Sequence, residues 1–305
     1  MEDYRKYLQP ETISKLRSIE LKAKFIVEGF LIGLHKSPYH GFSVEFSEHR
    51  QYSPGDEIRH IDWRVYGRTD KFYIKRYEEE TNLRGYILLD VSGSMRYTSG
   101  PKYLPKIEYA SYLSAALCLL MLGQRDGAGL VTFSDTIETF LPPSAKPSHQ
   151  RLLLKTLSET SALVTTGTAR QTDSGRALSQ IAERIQKRSL IILISDLWDN
   201  PDSLITALKF FRHRHNEVIV FHLIDPQERL FDFNADAEMV DMETGSRILT
   251  SPRQIQQAYE QAFNALSERY KQALTDNLID YNLIDTSKPF DLALFAYLKK
   301  RSRLK

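Results

Sequence analysis

Apolar residues Ile13, Leu16, Ile19, Leu21, Ala23 and Ile26 recur among charges, and with the opening Pro10-Glu11-Thr12 they predict a helix over residues 10–28. After residues 29–33 the texture changes. Residues 39–80 are dense in aromatics and charges around the turn Ser53-Pro54-Gly55-Asp56, and short, partly exposed antiparallel strands fit best there. From Arg84 onward strands and helices alternate. Residues 86–90 form a short apolar run typical of a buried strand, and residues 107–122 place Ile107, Ala110, Leu113, Leu117, Leu120 and Met121 at helical spacing before Gly123. The pattern then predicts a strand over 127–133 with a hairpin partner over 136–140, helices over 148–158 and 173–187, a strand over 190–195, a helix over 202–214 and a strand over 218–224. The tail reads as a hairpin over 238–250, a long helix over 252–274, a strand over 278–284 and a final helix over 290–300.

This alternation implies an α/β fold, a mainly parallel sheet covered by helices on both faces. Two regions are expected: residues 1–83, a helix and a small β-rich segment with too few apolar runs for a core of its own, and residues 84–305, the α/β domain on which it docks.

Composition narrows the function. Forty-one Lys and Arg against 39 Asp and Glu give a formal net charge of +2 over 305 residues, which lacks the strongly basic footprint of a dedicated nucleic-acid binder. The single cysteine, Cys118, excludes disulfide frameworks and multi-cysteine metal sites within one chain, and among leucines it reads as a buried hydrophobe. The N-terminal residues carry no apolar leader, and the longest apolar runs, such as residues 115–122, fall short of the ~18–20 residues of a membrane span. A cytoplasmic protein without a membrane span is expected.

Candidate chemistry begins at Asp90-Val91-Ser92-Gly93-Ser94, directly at the C-terminal end of the first apolar strand, where open parallel sheets bind ligands. One carboxylate and two hydroxyls are hard oxygen donors that suit Mg2+ or Mn2+. Asp and Ser also make turns and helix caps, so the pentapeptide alone is a weak signal. Two segments strengthen it: Ser195-Asp196 ends another buried strand, and the polar loop from Thr168 through Thr172 feeds a helix.

Together these three segments resemble the metal-ion-dependent adhesion site of von Willebrand factor A domains. Asp90, Ser92 and Ser94 match its first motif, Thr172 its loop threonine, with Gly167-Thr168 as a rival register, and Asp196 its third motif. A second signature, from His49 to Trp63 with Arg50, Tyr52, Pro54, Gly55, Asp56, Arg59, Asp62 and Trp63, resembles the hallmark of the DUF58 family. Asp225-Pro226, the Asp241–Gly245 stretch and the 281–285 strand extend that similarity over nearly the whole chain. The resemblance implies a von Willebrand factor A-like fold and a divalent metal held directly by the hydroxyls and through water by carboxylates. It further implies an open coordination position for a partner's acidic side chain, and association with a MoxR-type AAA+ ATPase or its client.

Plainer readings stand beside these. Asp56, Arg59, Asp62 and Trp63 form either a partner surface or a structural buckle. His213 and His215 read as solvated cations at a helix end, Asp225 as a strand exit, and Glu78–Glu80 as a charged edge. The alternative function is a Mg2+-dependent phosphohydrolase built on the strand-end carboxylates. Against it, a haloacid-dehalogenase-type acid would need Asp where Ser92 stands, and neither a phosphate-binding G-x-x-x-x-G-K-[ST] loop nor a G-x-S-x-G elbow is present. The leading expectation is a non-enzymatic, metal-dependent protein-interaction module.

Overall fold

The computed structural model describes residues 9–35, 49–51, 66–68, 70, 72–75, 83–162, 173–231, 233, 237–240 and 245–304. Helices α1 (Pro10–Ser14) and α2 (Ile19–His35) precede a short antiparallel pair, β1 (His49–Gln51) and β2 (Tyr73–Lys75). Next come β3 (Arg84–Asp90), α3 (Lys106–Gly123), β4 (Gly127–Phe133), β5 (Ile137–Ser144), α4 (Pro147–Ala162) and α5 (Ser174–Arg184). The second half runs β6 (Leu190–Ser195), α6 (Pro201–His213), β7 (Glu217–Ile224), α7 (Pro226–Leu230), β8 (Ala237–Val240), β9 (Arg247–Thr250), α8 (Pro252–Thr275), β10 (Asp280–Asp285) and α9 (Asp291–Ser302).

Six strands form the central sheet in the order β10-β7-β6-β3-β4-β5, all parallel except the β4–β5 pair. The chain starts in the middle, moves out through β4 to β5, then returns to β6 and moves the other way. That is the doubly wound order 3-2-1-4-5-6, whose direction reverses between β3 and β6; in sheets of this kind ligands bind in the crevice at the carboxyl ends of those two strands. The expected α/β architecture, a mainly parallel sheet with helices on both faces, is what the chain forms.

Alternation along each strand sends successive side chains to opposite faces. Ile87 and Leu89 pack with α2, α3, α4 and α9, while Tyr86 and Leu88 pack with α5, α6 and α8. Both faces are covered, so the strands read as continuous apolar runs rather than alternating ones. Cys118 is fully buried on α3, and burial pushes its thiol up to about 12.

Several boundaries differ from those read in the sequence. The expected helix over 10–28 is two helices: Ser18 Oγ accepts the Leu21 N–H and starts α2 afresh. That second helix then continues through Gly29, because Phe30 beyond it is buried with Ala23 and Ile26 in the core under α3. α5 stops at Arg184, where Ile185 turns to extended backbone and buries its side chain. β10 starts at Asp280, since Leu278 lies exposed in a left-handed turn. β5 is longer than expected and includes Pro142 and Pro143, which a strand at the edge of the sheet tolerates because it is paired with a strand on one side only among the described residues. Opposite them, a Cβ on Gly129 would lie 2.8 Å from the Leu141 carbonyl oxygen, so only glycine fits there.

Candidate functional site

Asp90 ends β3 and Ser195 ends β6, so the two neighbours across the reversal point deliver their last side chains to one crevice. Asp90 is almost wholly buried, and both its oxygens are engaged. Oδ1 accepts the Ser92 N–H at 2.9 Å, and Oδ2 accepts the Ser195 hydroxyl at 2.6 Å. Ser92 Oγ and Ser94 Oγ stand 3.1 Å apart. The turn between them winds into a short 3-10 segment over Ser94–Arg96, anchored by the buried Met95. Asp90, Ser92 and Ser94 are therefore brought together as their spacing implies.

Desolvation first, then the nearby charge of Asp196, push the Asp90 carboxyl up to about 7, against hydrogen bonds from Ser195 and Ser92. A carboxyl in that position gains from a cation beside it. The donors on offer, one carboxylate and two hydroxyls, are all hard oxygens and suit Mg2+ or Mn2+. Among the described residues no cluster of three or more His, Cys, Asp or Glu side chains is assembled, so this is no acid-rich cage. The residues present fit a small divalent ion held largely by hydroxyls.

Asp196 is differently employed. Its Oδ2 accepts from Lys106 Nζ at 2.8 Å, and the same ammonium lies 2.7 Å from Glu228 Oε1. Lys106 is fully buried at the first turn of α3, 5.7 Å from the centre of the Tyr97 ring. Burial works against its charge, but Asp196 and Glu228 outweigh that, and the ammonium is held above its ordinary range. The third motif's carboxylate thus already has a counter-ion belonging to the protein.

Lys106 and Glu228 were not singled out in the sequence, and the Asp225 reading needs extending. Asp225 does leave β7, but it also caps α7: its side chain accepts the Gln227 N–H at 2.8 Å, and Glu228 returns to the Asp225 N–H at 3.1 Å. The signal was Asp225-Pro226-Gln227-Glu228, a capping box with proline at the first helical position. Asp225 Oδ2 also accepts the Ser99 N–H, which ties the loop after β3 to the end of β7.

Beneath Asp196 lies His222 on β7, almost fully buried. Its Nδ1 is 2.7 Å from the Tyr281 hydroxyl, and the ring also hydrogen-bonds the Asp196 backbone. Desolvation above all lowers its pKa to about 4.

The loop after β6 is rigidly built. Leu197 has φ +54°, a left-handed conformation that costs a non-glycine residue about 1–2 kcal/mol. It is held there because its side chain is buried, its N–H meets Ser195 Oγ, and its carbonyl accepts the Tyr270 hydroxyl. Asp199 Oδ2 accepts the Ser174 N–H at 2.6 Å, which docks the start of α5 on this loop.

Thr172 and Thr168, and Tyr52, Pro54, Gly55, Asp56, Arg59, Asp62 and Trp63, lie outside the described residues, as do Glu78–Glu80. Arg50 lies on β1, paired with Ile74 of β2. His213 and His215 are exposed at the C-terminal end of α6, away from the crevice end of the sheet.

Comparison with known proteins bears on this chain as a whole. An uncharacterized protein of Mycobacterium tuberculosis (strain ATCC 25618 / H37Rv) is 26% identical over 236 residues, covering 77% of this chain and 72% of that protein. A counterpart from Mycobacterium bovis matches to the same extent. Similar solved structures include BatB from Bacteroides thetaiotaomicron, with a TM-score of 0.47 and 19% identity over 72% of this chain and 98% of that one. They also include the SpRpn10 VWA domain, with a TM-score of 0.38 and 14% identity over 70% and 93%. Residues 48–269 match the family described as "Protein of unknown function DUF58", well over half the sequence, and the chain belongs to that family.

Proposed function

We propose that this chain is a non-enzymatic protein-interaction module whose binding depends on Mg2+ or Mn2+ at Asp90, Ser92 and Ser94, with Thr172 as a further ligand and Asp196 behind them. The observation that carries this reading is the convergence of one buried carboxylate and two hydroxyls at the sheet's reversal point. Bound there, the metal supplies a coordination position open to an acidic side chain of a partner. Around it the protein's own groups hold rather than react. Ser195 donates to Asp90 and thereby keeps that carboxylate in one orientation, and Lys106 neutralises Asp196. His222, whose ring hydrogen-bonds the Asp196 backbone, is also engaged by Tyr281 and held largely neutral. A general base must reach the proton it takes, and none of these groups is free to do so. This weighs against the phosphohydrolase alternative.

The partner we favour is a MoxR-type AAA+ ATPase or a client of one, in chaperone-like maturation or remodelling in the cytoplasm. No helix among the described residues is long and apolar enough to cross a membrane. Titration calorimetry with Mg2+ and Mn2+ on wild type and Asp90→Ala, followed by pull-downs with the ATPase in Mg2+ or EDTA, tests the reading. Metal heats lost in the variant, and capture lost with EDTA, are expected. Equal heats for both proteins reject the metal site, and steady turnover of a phosphoester that Asp90→Ala abolishes establishes the hydrolase instead.

A further inference from the structure

The amino-terminal edge of the sheet, at the opposite end of the strands from Asp90 and Ser195, gathers cations from several elements. The register sets the first residues of β10, β7, β6, β3 and β4 side by side, a row about 19 Å across at about 4.8 Å per strand. Arg84 opens β3, and Lys187 and Arg188 lie exposed just before β6. Arg214, over the Phe210 ring at 5.7 Å, and the exposed His213 and His215 precede β7, and Arg125 precedes β4. The end of α9 reaches the same row: Lys300 Nζ lies 3.0 Å from Glu217 and 3.3 Å from Asp280, and Arg301 binds Asp126. Lys299 and Arg303 are exposed beside them. The carboxylates described at this edge, Glu217, Asp280, Asp126, Glu183 and Asp276, are fewer, and the first three are already engaged.

The helix macrodipole favours cations in a last turn, which accounts for Arg212 and the end of α9. It does not account for Arg84, Lys187 and Arg188, which belong to no helix. At the β10 end of the row stands Leu278, 69% exposed, with φ +58°. Its N–H returns to the Thr275 carbonyl and the Ile279 N–H to the Leu274 carbonyl, so the cap that ends α8 holds it in place. Glycine or asparagine is usual in such a cap, whereas leucine puts apolar surface into water there.

We propose that this edge docks on an anionic phospholipid membrane, with headgroup phosphates on the arginines and lysines and Leu278 at the boundary of the acyl chains. Near such a surface each Lys or Arg raises affinity about fivefold, and the arginine fork takes phosphate oxygens in pairs. A nucleic-acid partner is less well matched. Single strands are bound by stacking on aromatic rings, and the described loops of this row hold no Phe, Tyr or Trp. A duplex offers phosphate but nothing apolar to cover Leu278. This surface is independent of the metal-dependent reading above. Docked this way, the chain holds Asp90 about 20 Å from the headgroups, the length of β3, with the carboxyl ends of the strands facing away from the lipid.

Flotation of the full chain with lipid vesicles tests the surface. In EDTA at low salt the chain is expected to float with vesicles of equal parts phosphatidylglycerol and phosphatidylcholine. It should stay behind with phosphatidylcholine alone, and rising salt should release it. Lys187→Gln/Arg188→Gln should bind the anionic vesicles about 30-fold more weakly. Leu278→Asn should bind them about tenfold more weakly. Its Tm should be unchanged or higher, because asparagine suits the left-handed turn, and that separates lost binding from lost folding. Vesicle binding that either variant leaves unchanged overturns the surface, as does a wild-type chain that does not float. Retention by duplex DNA or polyglutamate without vesicle binding also overturns it and assigns the edge to another polyanion. A chain that floats as expected but gives no heat with Mg2+ or Mn2+ keeps this surface and overturns the metal reading alone.

Discussion

Lys106 Nζ and Asp196 Oδ2 lie 2.8 Å apart with neither group exposed, one from the first turn of α3 and the other from the loop after β6. Glu228 on α7 shares the same ammonium, so a single lysine joins three elements around the crevice. Removing one partner of a buried pair leaves a charge without compensation, which costs about 3–5 kcal/mol. Lys106→Met should lower the unfolding free energy by that amount in urea titrations. The double variant Lys106→Met/Asp196→Asn should recover a substantial part of it, because the stranded charge is removed as well. Equal losses in the single and double variants would show that packing, not charge, is what the lysine provides.

Asp90 gives the stability of the chain a pH dependence that a metal should alter. Its folded pKa of about 7 lies above the ordinary carboxyl value of 3.8. The unfolded chain therefore loses this proton first, and stability falls as pH rises from about 4 through about 7. A divalent cation binds the ionised form and should restore what was lost. Thermal unfolding with and without Mg2+ is expected to show a larger rise in Tm at pH 8 than at pH 5, and no pH-dependent difference in Asp90→Asn.

His222 acts in the opposite direction. With a folded pKa of about 4 against 6.5 for a free imidazole, it binds its proton more readily in the unfolded chain. Stability is then present above pH 6.5 and is lost as pH falls through about 4, by on the order of 3 kcal/mol when fully developed. His222→Gln should flatten the acid limb of a stability-versus-pH curve measured in EDTA. An acid limb of unchanged steepness would sink this assignment.

We propose that residues 1–83 and the α/β domain fold as one unit. Ile13, Ala23, Ile26 and Phe30 are buried in the same core as Ile87, Leu113 and Leu117, and Lys22 Nζ reaches the Tyr112 hydroxyl at 2.6 Å. A chain of residues 84–305 should show a markedly lower Tm and bind a hydrophobic dye. In the full chain Phe30→Ala should cost about 3–5 kcal/mol, as a large side chain lost from a core does. A truncated chain as stable as the whole would separate the two regions.

How much of this was legible in the sequence follows from range. The strands and most helices were readable because burial on both faces writes itself as short apolar runs, as in residues 86–90 and 190–195. Asp90, Ser92 and Ser94 were readable because a five-residue motif is local. Lys106 was not, since nothing near it in the chain distinguishes it from a solvated lysine; its carboxylates come from positions 196 and 228. Glu228 was within reach through its capping box, had the Asp-Pro step been read as a helix start rather than only a strand exit. Helix ends were least legible. The break before α2 depends on one serine hydroxyl, and the continuation past Gly29 depends on where Phe30 packs.

Pro142 and Pro143 on β5 settle one more matter. Many proteins recruit a partner by letting it add a strand to an open sheet edge, where backbone groups supply the affinity. On this side of the sheet two successive residues have no N–H to offer, and the register against β4 shifts at the same stretch, between Ala128 and Leu130. A ladder begun there would stop within a residue or two. The prolines blunt that stretch of the edge against an added strand, the means by which native sheets keep an open edge from pairing with other chains.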